Sequence, residues 1–187
     1  TFQNIRLFPS MSVLENVMTA CHRHAKQNII DAVLRLPRFE RDEREHRAFA
    51  MELLDIFGLA KFWNEGGTSL PYGSQRRLEI VRALATRPQV LLLDEPAAGM
   101  NPSEQEDLMQ LIKQIRDRFG LTILLVEHNM KVVMGVCDRI QVVDYGKSIA
   151  LGVPEVPAQA TAIVLVNQVD GAQRDRAPAL IEVPYSS

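Results

Sequence analysis

The sequence has few cysteines, few aromatic residues and no long apolar run. Its two cysteines, Cys21 and Cys137, fit no metal or redox spacing, so we expect both to be reduced residues in or near a core. No apolar run reaches the roughly 18 residues that span a bilayer, and no basic and apolar leader opens the sequence, which argues against secretion. A net charge of −2 gives no general attraction to nucleic acid or anionic lipid. We therefore expect a cytosolic protein that would serve a membrane only from its surface.

The composition is that of an ordinary globular chain. Apolar residues make up 47% of the sequence and charged residues 24%. A length of 187 residues allows one sizeable core or slightly more. The sequence starts at Thr1, with no initiator Met and no strand before Phe2 and Gln3, and we expect it to belong to a longer protein.

Helical periodicity dominates the N-terminal half of the chain. Ser12 and Glu15 have the spacing of a capping box and predict a helix from residue 13 to about 36. Two more helices are expected at about 40–57 and 74–86.

The pattern changes after residue 86. Two short apolar runs, 90–93 and 122–126, predict buried strands, and each is followed by a predicted helix. Alternation of this kind indicates a mainly parallel sheet with both faces covered. Two short strands, 139–144 and 147–150, are expected to follow. We divide the chain into a helical region (residues 1–86), an α/β region (residues 87–153) and an atypical tail (residues 154–187), to which we assign no site.

Polar residues stand at the ends of the two apolar strands. Asp94 and Glu95 follow the first strand, and His128 follows the second. Ligands of open α/β sheets bind beyond the carboxyl ends of the strands. There one carboxylate can hold Mg²⁺ and the other can deprotonate a water, while a neutral imidazole can contact a phosphate. The alternatives are a solvated Asp-Glu turn and a histidine with purely internal partners.

A second candidate lies at 70–77, where a glycine and small polar residues precede the third predicted helix. Free N–H groups at a helix N-terminus suit phosphate. The alternative is an ordinary loop before a helix with a solvated basic face.

Taken in order, these segments resemble the motifs of ABC-transporter ATPase subunits. The segments are Phe2-Gln3, the stretch 70–77, Leu-Leu-Leu-Asp-Glu-Pro at 91–96, Ala-Ala-Gly-Met-Asn-Pro at 97–102, and Glu127-His128. They are similar to the Q-loop, signature, Walker B, D-loop and switch histidine. The resemblance covers about residues 1–153 and implies a partial P-loop NTPase-like α/β core with an inserted helical subdomain.

Finer details resemble the subunits that serve branched-chain amino-acid importers. They are Thr-Phe-Gln-Asn-Ile-Arg-Leu-Phe at 1–8, Pro-Tyr-Gly-Ser-Gln-Arg-Arg-Leu-Glu-Ile at 71–80, Asp-Glu-Pro-Ala-Ala-Gly-Met-Asn at 94–101 and Glu-His-Asn-Met at 127–130. Relatives for urea or amide uptake and for lipopolysaccharide export share much of this pattern. Two other hypotheses remain for the function. One is a soluble ABC ATPase that acts on nucleic acid or ribosomes, and the other is a fragment that only binds a partner.

The resemblance implies a role for each matching residue. Glu95 would be the general base, His128 would contact the γ-phosphate, and Gln3 would touch Mg²⁺ or the attacking water. Asp94 would support Mg²⁺. The remaining nucleotide contacts would come from the signature in trans and from the D-loop, at Tyr72, Gly73, Ser74, Gln75, Gly99 and Asn101.

The same resemblance implies cofactors, partners and a location. ATP and Mg²⁺ would be bound by a head-to-tail pair of cassettes, identical or related. The cassettes would join permease subunits at the cytoplasmic face of the membrane and act indirectly with a substrate-binding protein, without nucleic acid. The segment 4–86 would receive a permease coupling helix.

Two departures stand out. Pro71 takes the place of the usual signature serine and brings neither hydroxyl nor N–H, a variant that we expect to be tolerated. The phosphate-loop pattern Gly-x-x-x-x-Gly-Lys-Ser/Thr does not occur in the sequence. We therefore expect this chain alone to bind ATP poorly and not to hydrolyse it.

Overall fold

A computed structural model describes residues 7–21, 37–144, 147–153 and 163–167. The backbone alone is described at 37–39, 144, 147–149 and 163–167. The chain forms two compact units, Asn4–Pro88 and a second that holds Gln89–Ser187. Each unit is described by itself below.

The first unit is helical. Helices α1 (Val13–Cys21), α2 (Pro37–Ile56) and α3 (Tyr72–Ala85) pack against one another, and two short 3₁₀ turns lie at Ala60–Phe62 and Gly67–Ser69. Their shared core consists of aliphatic side chains and one phenylalanine, including Val13, Val17, Leu53, Leu54, Phe57, Leu78 and Val81. Burial of this apolar surface stabilises the unit.

The predicted capping box at the start of α1 is confirmed. The Ser12 N–H donates to Glu15 Oε2 over 2.7 Å, and the Glu15 N–H donates to Ser12 Oγ over 3.2 Å. The rest of the predicted helix, residues 22–36, lies outside the described residues. Helix α3 starts at Tyr72, two residues earlier than predicted, because Pro71 with φ −53° takes the N-cap position and leads directly into the helix.

Asn16 is fully buried and holds the turn that precedes α1. Its Oδ1 accepts the Phe8 N–H over 2.8 Å. Its Nδ2 lies 3.3 Å from the Phe8 carbonyl oxygen, 3.2 Å from that of Met11 and 2.9 Å from that of Ser12. One amide side chain thus satisfies the buried polar groups of this turn.

The second unit contains a five-stranded sheet with the order β1-β2-β5-β3-β4. The strands are β1 (Val90–Asp94), β2 (Thr122–Glu127), β3 (Ile140–Asp144), β4 (Lys147–Gly152) and β5 (Ile163–Asn167). Helix α4 (Pro102–Phe119) connects β1 to β2 and packs against α5 (Met130–Val136), which follows β2.

The two motif-bearing strands are parallel, as predicted, and the structure shows that they are neighbours, with Leu92 opposite Leu124 and Asp94 opposite Val126. The prediction of a mainly parallel sheet does not hold for the other described strands, which pair antiparallel. The remaining pairs, β2–β5, β5–β3 and β3–β4, are antiparallel. For β3 and β4 the reason is the connection of two residues, which can only join antiparallel strands.

Only one face of β1 is covered in the described residues of the chain. Leu91 and Leu93 are buried, whereas Val90 and Leu92 on the opposite face are 49% and 56% exposed. The prediction that both faces of the sheet are covered is therefore met on only one face of β1 in the described residues. Among the described helices, none combines the length and apolarity needed to cross a membrane.

Both ends of α4 are capped. At the start, the Asn101 side chain accepts the Glu104 N–H and the Glu104 side chain accepts the Asn101 N–H, both over 2.9 Å, with Pro102 following at the first helical position. At the end, Gly120 adopts the left-handed conformation with φ 60°, which glycine reaches without steric cost.

We predict that Asn101→Ala lowers the free energy of unfolding by about 1 kcal/mol, because the Glu104 N–H loses its acceptor at the helix start. Urea denaturation checks this. Asn101→Asp keeps the acceptor oxygen and should change stability little. Equal losses in both variants would contradict the capping role.

Both cysteines are free and buried, as expected. Burial raises the pKa of the Cys137 thiol to about 12, and the nearby Asp138 carboxylate adds to the rise. Burial also raises the pKa of Cys21. Both thiols therefore stay protonated near neutral pH.

We predict that Cys137 in the folded Cys21→Ser variant is alkylated at pH 8 about a thousandfold more slowly than in the denatured chain, since a pKa raised by about three units removes the reactive thiolate. The rate should rise as the pH approaches 12. Iodoacetamide labelling followed by mass spectrometry measures both. Equal rates in folded and denatured chain would contradict this protection.

Candidate functional site

The candidate site begins where β1 ends. Asp94 is the last residue of β1 and is half-buried. The next residue, Glu95, continues the ladder, because its N–H donates to the Val126 carbonyl oxygen of β2 over 2.8 Å. Glu95 has φ 44°, a left-handed conformation that costs a non-glycine residue about 1–2 kcal/mol. Such strain is common at functional sites.

Glu95 and His128 meet across the ends of the two parallel strands. His128 Nδ1 lies 3.1 Å from Glu95 Oε1. The Glu95 side chain is 34% exposed and that of His128 is 64% exposed, so the pair is open to solvent and to a ligand. The strand ends thus bring together the two predicted catalytic side chains, although their chemical roles stay predictions.

The carboxylates at this site suit Mg²⁺ that takes most of its ligands from water and phosphate. Among the described residues, no cluster of three or more histidine, cysteine, aspartate or glutamate side chains could hold a metal ion. Mg²⁺ is often held by one or two carboxylates, waters and substrate phosphates. The half-buried carboxylate of Asp94 suits that arrangement, in which the nucleotide supplies the other ligands.

The loop from Glu95 to Asn101 is built from successive tight turns. The Ala98 N–H donates to the Glu95 carbonyl oxygen over 3.1 Å, and the Met100 N–H donates to the Ala97 carbonyl oxygen over 3.2 Å. Gly99 has φ 74°, which favours glycine at this position. The Asn101 side chain caps α4 and is committed to that helix.

Sequence reasoning assigned no role to Glu127, the last residue of β2. Its side chain is buried, and both carboxylate oxygens accept backbone N–H groups, from Ala97 on one side and from His128 and Asn129 on the other. The sequence gives one signal for such a role, which is an acidic residue at the end of an apolar strand. Carboxylates are seldom buried unless they are paired, so a buried one is expected to have partners.

The predicted signature residues lie in the helical unit, in the first turn of α3. Tyr72 is 45% exposed, Gly73 is buried and Ser74 is half-buried. Gln75 does not point freely outward, because its Nε2 donates to the carbonyl oxygens of Thr68 over 3.0 Å and Leu70 over 2.7 Å. Its amide fixes the preceding loop. Gln3, predicted to contact Mg²⁺ or water, lies outside the described residues.

A sequence profile of the ABC transporter family matches residues 1–98. The chain belongs to the ABC transporter family. Membership of this family implies nucleotide binding and agrees with the order of the motifs around Asp94 and Glu95.

Two relatives within this family are similar to most of the chain. The chain is 46% identical over 155 residues to BraF of Pseudomonas aeruginosa and to LivG of Escherichia coli, both high-affinity branched-chain amino acid transport ATP-binding proteins. Each match covers 83% of this chain and 61% of the relative, so the chain spans about three fifths of their length.

The fold agrees with a solved dimeric structure of a bacterial ABC transporter cassette. The TM-score is 0.67 at 27% identity, over 82% of this chain and 61% of the other. The predicted class, an α/β ABC ATPase core with a helical subdomain, is thereby confirmed.

Proposed function

We propose that this chain carries the water-activating and magnesium-holding side of the ATP site in an ATPase subunit of an importer for branched-chain amino acids. The contact of 3.1 Å between His128 Nδ1 and Glu95 Oε1, one residue beyond Asp94, carries the proposal. The importer type rests on the 46% identity to BraF and LivG.

Glu95 is the general base in this proposal. Its carboxylate is 34% exposed and takes the proton of the water that attacks the terminal phosphate. In this proposal His128 holds that carboxylate through Nδ1, which lies 3.1 Å from Glu95 Oε1, and its other ring nitrogen, Nε2, would contact the terminal phosphate. The imidazole thus orients the base while remaining a donor or acceptor for the nucleotide.

Asp94 holds Mg²⁺ through its half-buried carboxylate, directly or through water. The ion neutralises negative charge that develops on the phosphates. Gln3 would add a second contact to the ion or to the attacking water. The left-handed backbone at Glu95 sends its carboxylate away from the direction that a regular strand would give.

The first turn of α3 serves the ATP site of a second cassette. Exposed Tyr72 and half-buried Ser74 lie where a helix N-terminus offers free N–H groups, and Gly73 between them is buried. Gln75 supports the loop before it, and Gly99 and Asn101 shape the D-loop that would face the partner. The related solved cassette is dimeric, which supports a pair of cassettes; the head-to-tail arrangement is part of the proposal.

Further partners follow from the same proposal. Permease subunits would bind the segment 4–86 through a coupling helix, and a substrate-binding protein would act through them. The ATPase region would be residues 87–153. The protein would work at the cytoplasmic face of the membrane as a peripheral subunit.

The decisive experiment exchanges the matching 155-residue stretch of Escherichia coli LivG for the corresponding residues of this chain. The hybrid should hydrolyse Mg²⁺-ATP and restore leucine uptake in cells that lack LivG. Glu95→Gln should lower kcat at least about a hundredfold with little change in KM, because the base is lost while its shape is kept.

Glu106→Gln is the matched control, since Glu106 is 51% exposed and pairs with Lys131 on the surface. It should leave kcat unchanged. If the hybrid hydrolyses ATP equally well with and without the Glu95→Gln substitution, the role of Glu95 is overturned. ATP hydrolysis without leucine uptake would overturn the importer type and leave the ATPase standing.

We also predict that the 187-residue chain alone shows no Mg²⁺-ATP binding by calorimetry, because the phosphate-loop pattern is absent from its sequence. The Glu95→Gln variant should behave in the same way. Micromolar binding by either protein would show that this chain holds the phosphates in another manner and would contradict the prediction.

A further inference from the structure

Glu127 is one of the few charged side chains buried among the described residues, at 3% exposure. Its two carboxylate oxygens face two different loops. Oε1 accepts the Ala97 N–H over 3.2 Å. Oε2 accepts the N–H groups of His128 over 3.2 Å and of Asn129 over 3.3 Å.

These bonds require that both terminal oxygens of the Glu127 side chain accept hydrogen bonds. An ionised carboxylate accepts at each oxygen and donates nowhere, and its bonds to N–H groups are stronger than those of a neutral acceptor. A glutamine of the same size would have one accepting oxygen, and its NH₂ group would face an N–H. Only one of the two loops could then stay bonded.

The two loops carry the two members of the candidate pair. Ala97 lies two residues after Glu95, in the loop after β1, and His128 opens the loop after β2. The backbone bond from Glu95 to Val126 joins the strands just before these loops diverge. Beyond that point, the Glu127 carboxylate is a direct link between them.

A second bridge runs parallel to the first. Asn129 Nδ2 donates to Gln105 Oε1 of α4 over 3.1 Å, and Gln105 Nε2 donates to the Met100 carbonyl oxygen over 3.1 Å. Asn129 Oδ1 meanwhile accepts the Lys131 N–H over 3.0 Å at the start of α5. The loop after β2 is thus tied to the end of the loop after β1 as well as to its beginning.

We propose that Glu127 is a positioning residue that holds Glu95 and His128 in contact by binding the backbone of both loops. The proposal rests on the function proposed above, because it concerns the same site. Glu127 does not act as a base itself, since its oxygens are occupied by three N–H groups and its side chain is buried. A link between these loops also lets a change in one reach the other.

The first test uses the full 187-residue chain and needs no activity. In Glu127→Gln, amide hydrogen exchange followed by NMR should become at least about tenfold faster at Ala97 or at His128 and Asn129, whichever side loses its acceptor. Exchange within the core of α4, at Leu108 and Ile112, should stay unchanged. Unchanged exchange at all three loop amides would overturn the proposed link.

The second test uses the LivG hybrid. Glu127→Gln should lower kcat about tenfold to a hundredfold with KM for ATP within about twofold, because misplaced catalytic groups slow the reaction without removing phosphate contacts. In a His128→Ala background, the same substitution should have much less effect, because the group that it positions is gone. Glu106→Gln, which removes a nearby exposed charge, should leave kcat unchanged.

Three results separate the outcomes. A hybrid without ATPase activity before any substitution argues against the proposed function, while the exchange experiment still tests the link. Equal losses of kcat with His128 present and in the His128→Ala background would show a general structural role and overturn the positioning role. If Glu127→Gln fails to fold, Glu127→Asp keeps the charge but shortens the side chain, so that one carboxylate no longer reaches both loops. That variant should lower kcat with KM unchanged, and a full kcat there would contradict the proposal.

Discussion

The parallel pairing of β1 and β2 is the constraint on which the candidate site depends. Leu92 opposite Leu124 sets a register in which both strands end at the same edge of the sheet. The Glu95 N–H extends the ladder by one bond to Val126. A slip by one residue would turn every side chain to the other face. The apolar pattern of both strands and their burial on one face therefore fix the distance between Glu95 and His128.

Beyond the strand ends, polar contacts hold the two loops in place. The loop after β1 is built from two tight turns and ends in the cap of α4 by Asn101. Glu127 attaches that loop to the one after β2, and it does so from a buried position where water does not compete. The solvent-exposed pair of Glu95 and His128, for which we propose a catalytic role, is thus held in place by a buried carboxylate. This arrangement combines access for a nucleotide with fixed geometry.

The sequence predicted those features that depend on local chemistry or on strand order. The capping box of Ser12 and Glu15, for example, depends on two residues that are only three positions apart. The meeting of Glu95 and His128 followed from the rule that parallel strands present their carboxyl ends at one edge.

Other features escaped sequence reasoning because they depend on which side chains and strands meet in the folded chain. Nothing near Glu127 indicates that its carboxylate binds Ala97, which lies 30 residues away. Gln75 was predicted to contact the nucleotide, yet its amide binds the carbonyl groups of Thr68 and Leu70. The antiparallel placement of β5 between β2 and β3 was also absent from the predictions, since an apolar run alone does not give the direction or partner of a strand.

The most direct measurement of the central claim is a double-mutant cycle on kcat for Glu95→Gln and His128→Ala in the LivG hybrid. If the two side chains act as one unit on the same water, the double variant should be about as slow as the slower single variant. If the two losses multiply, Glu95 and His128 act independently, and their contact at the ends of β1 and β2 is not the basis of the proposed chemistry.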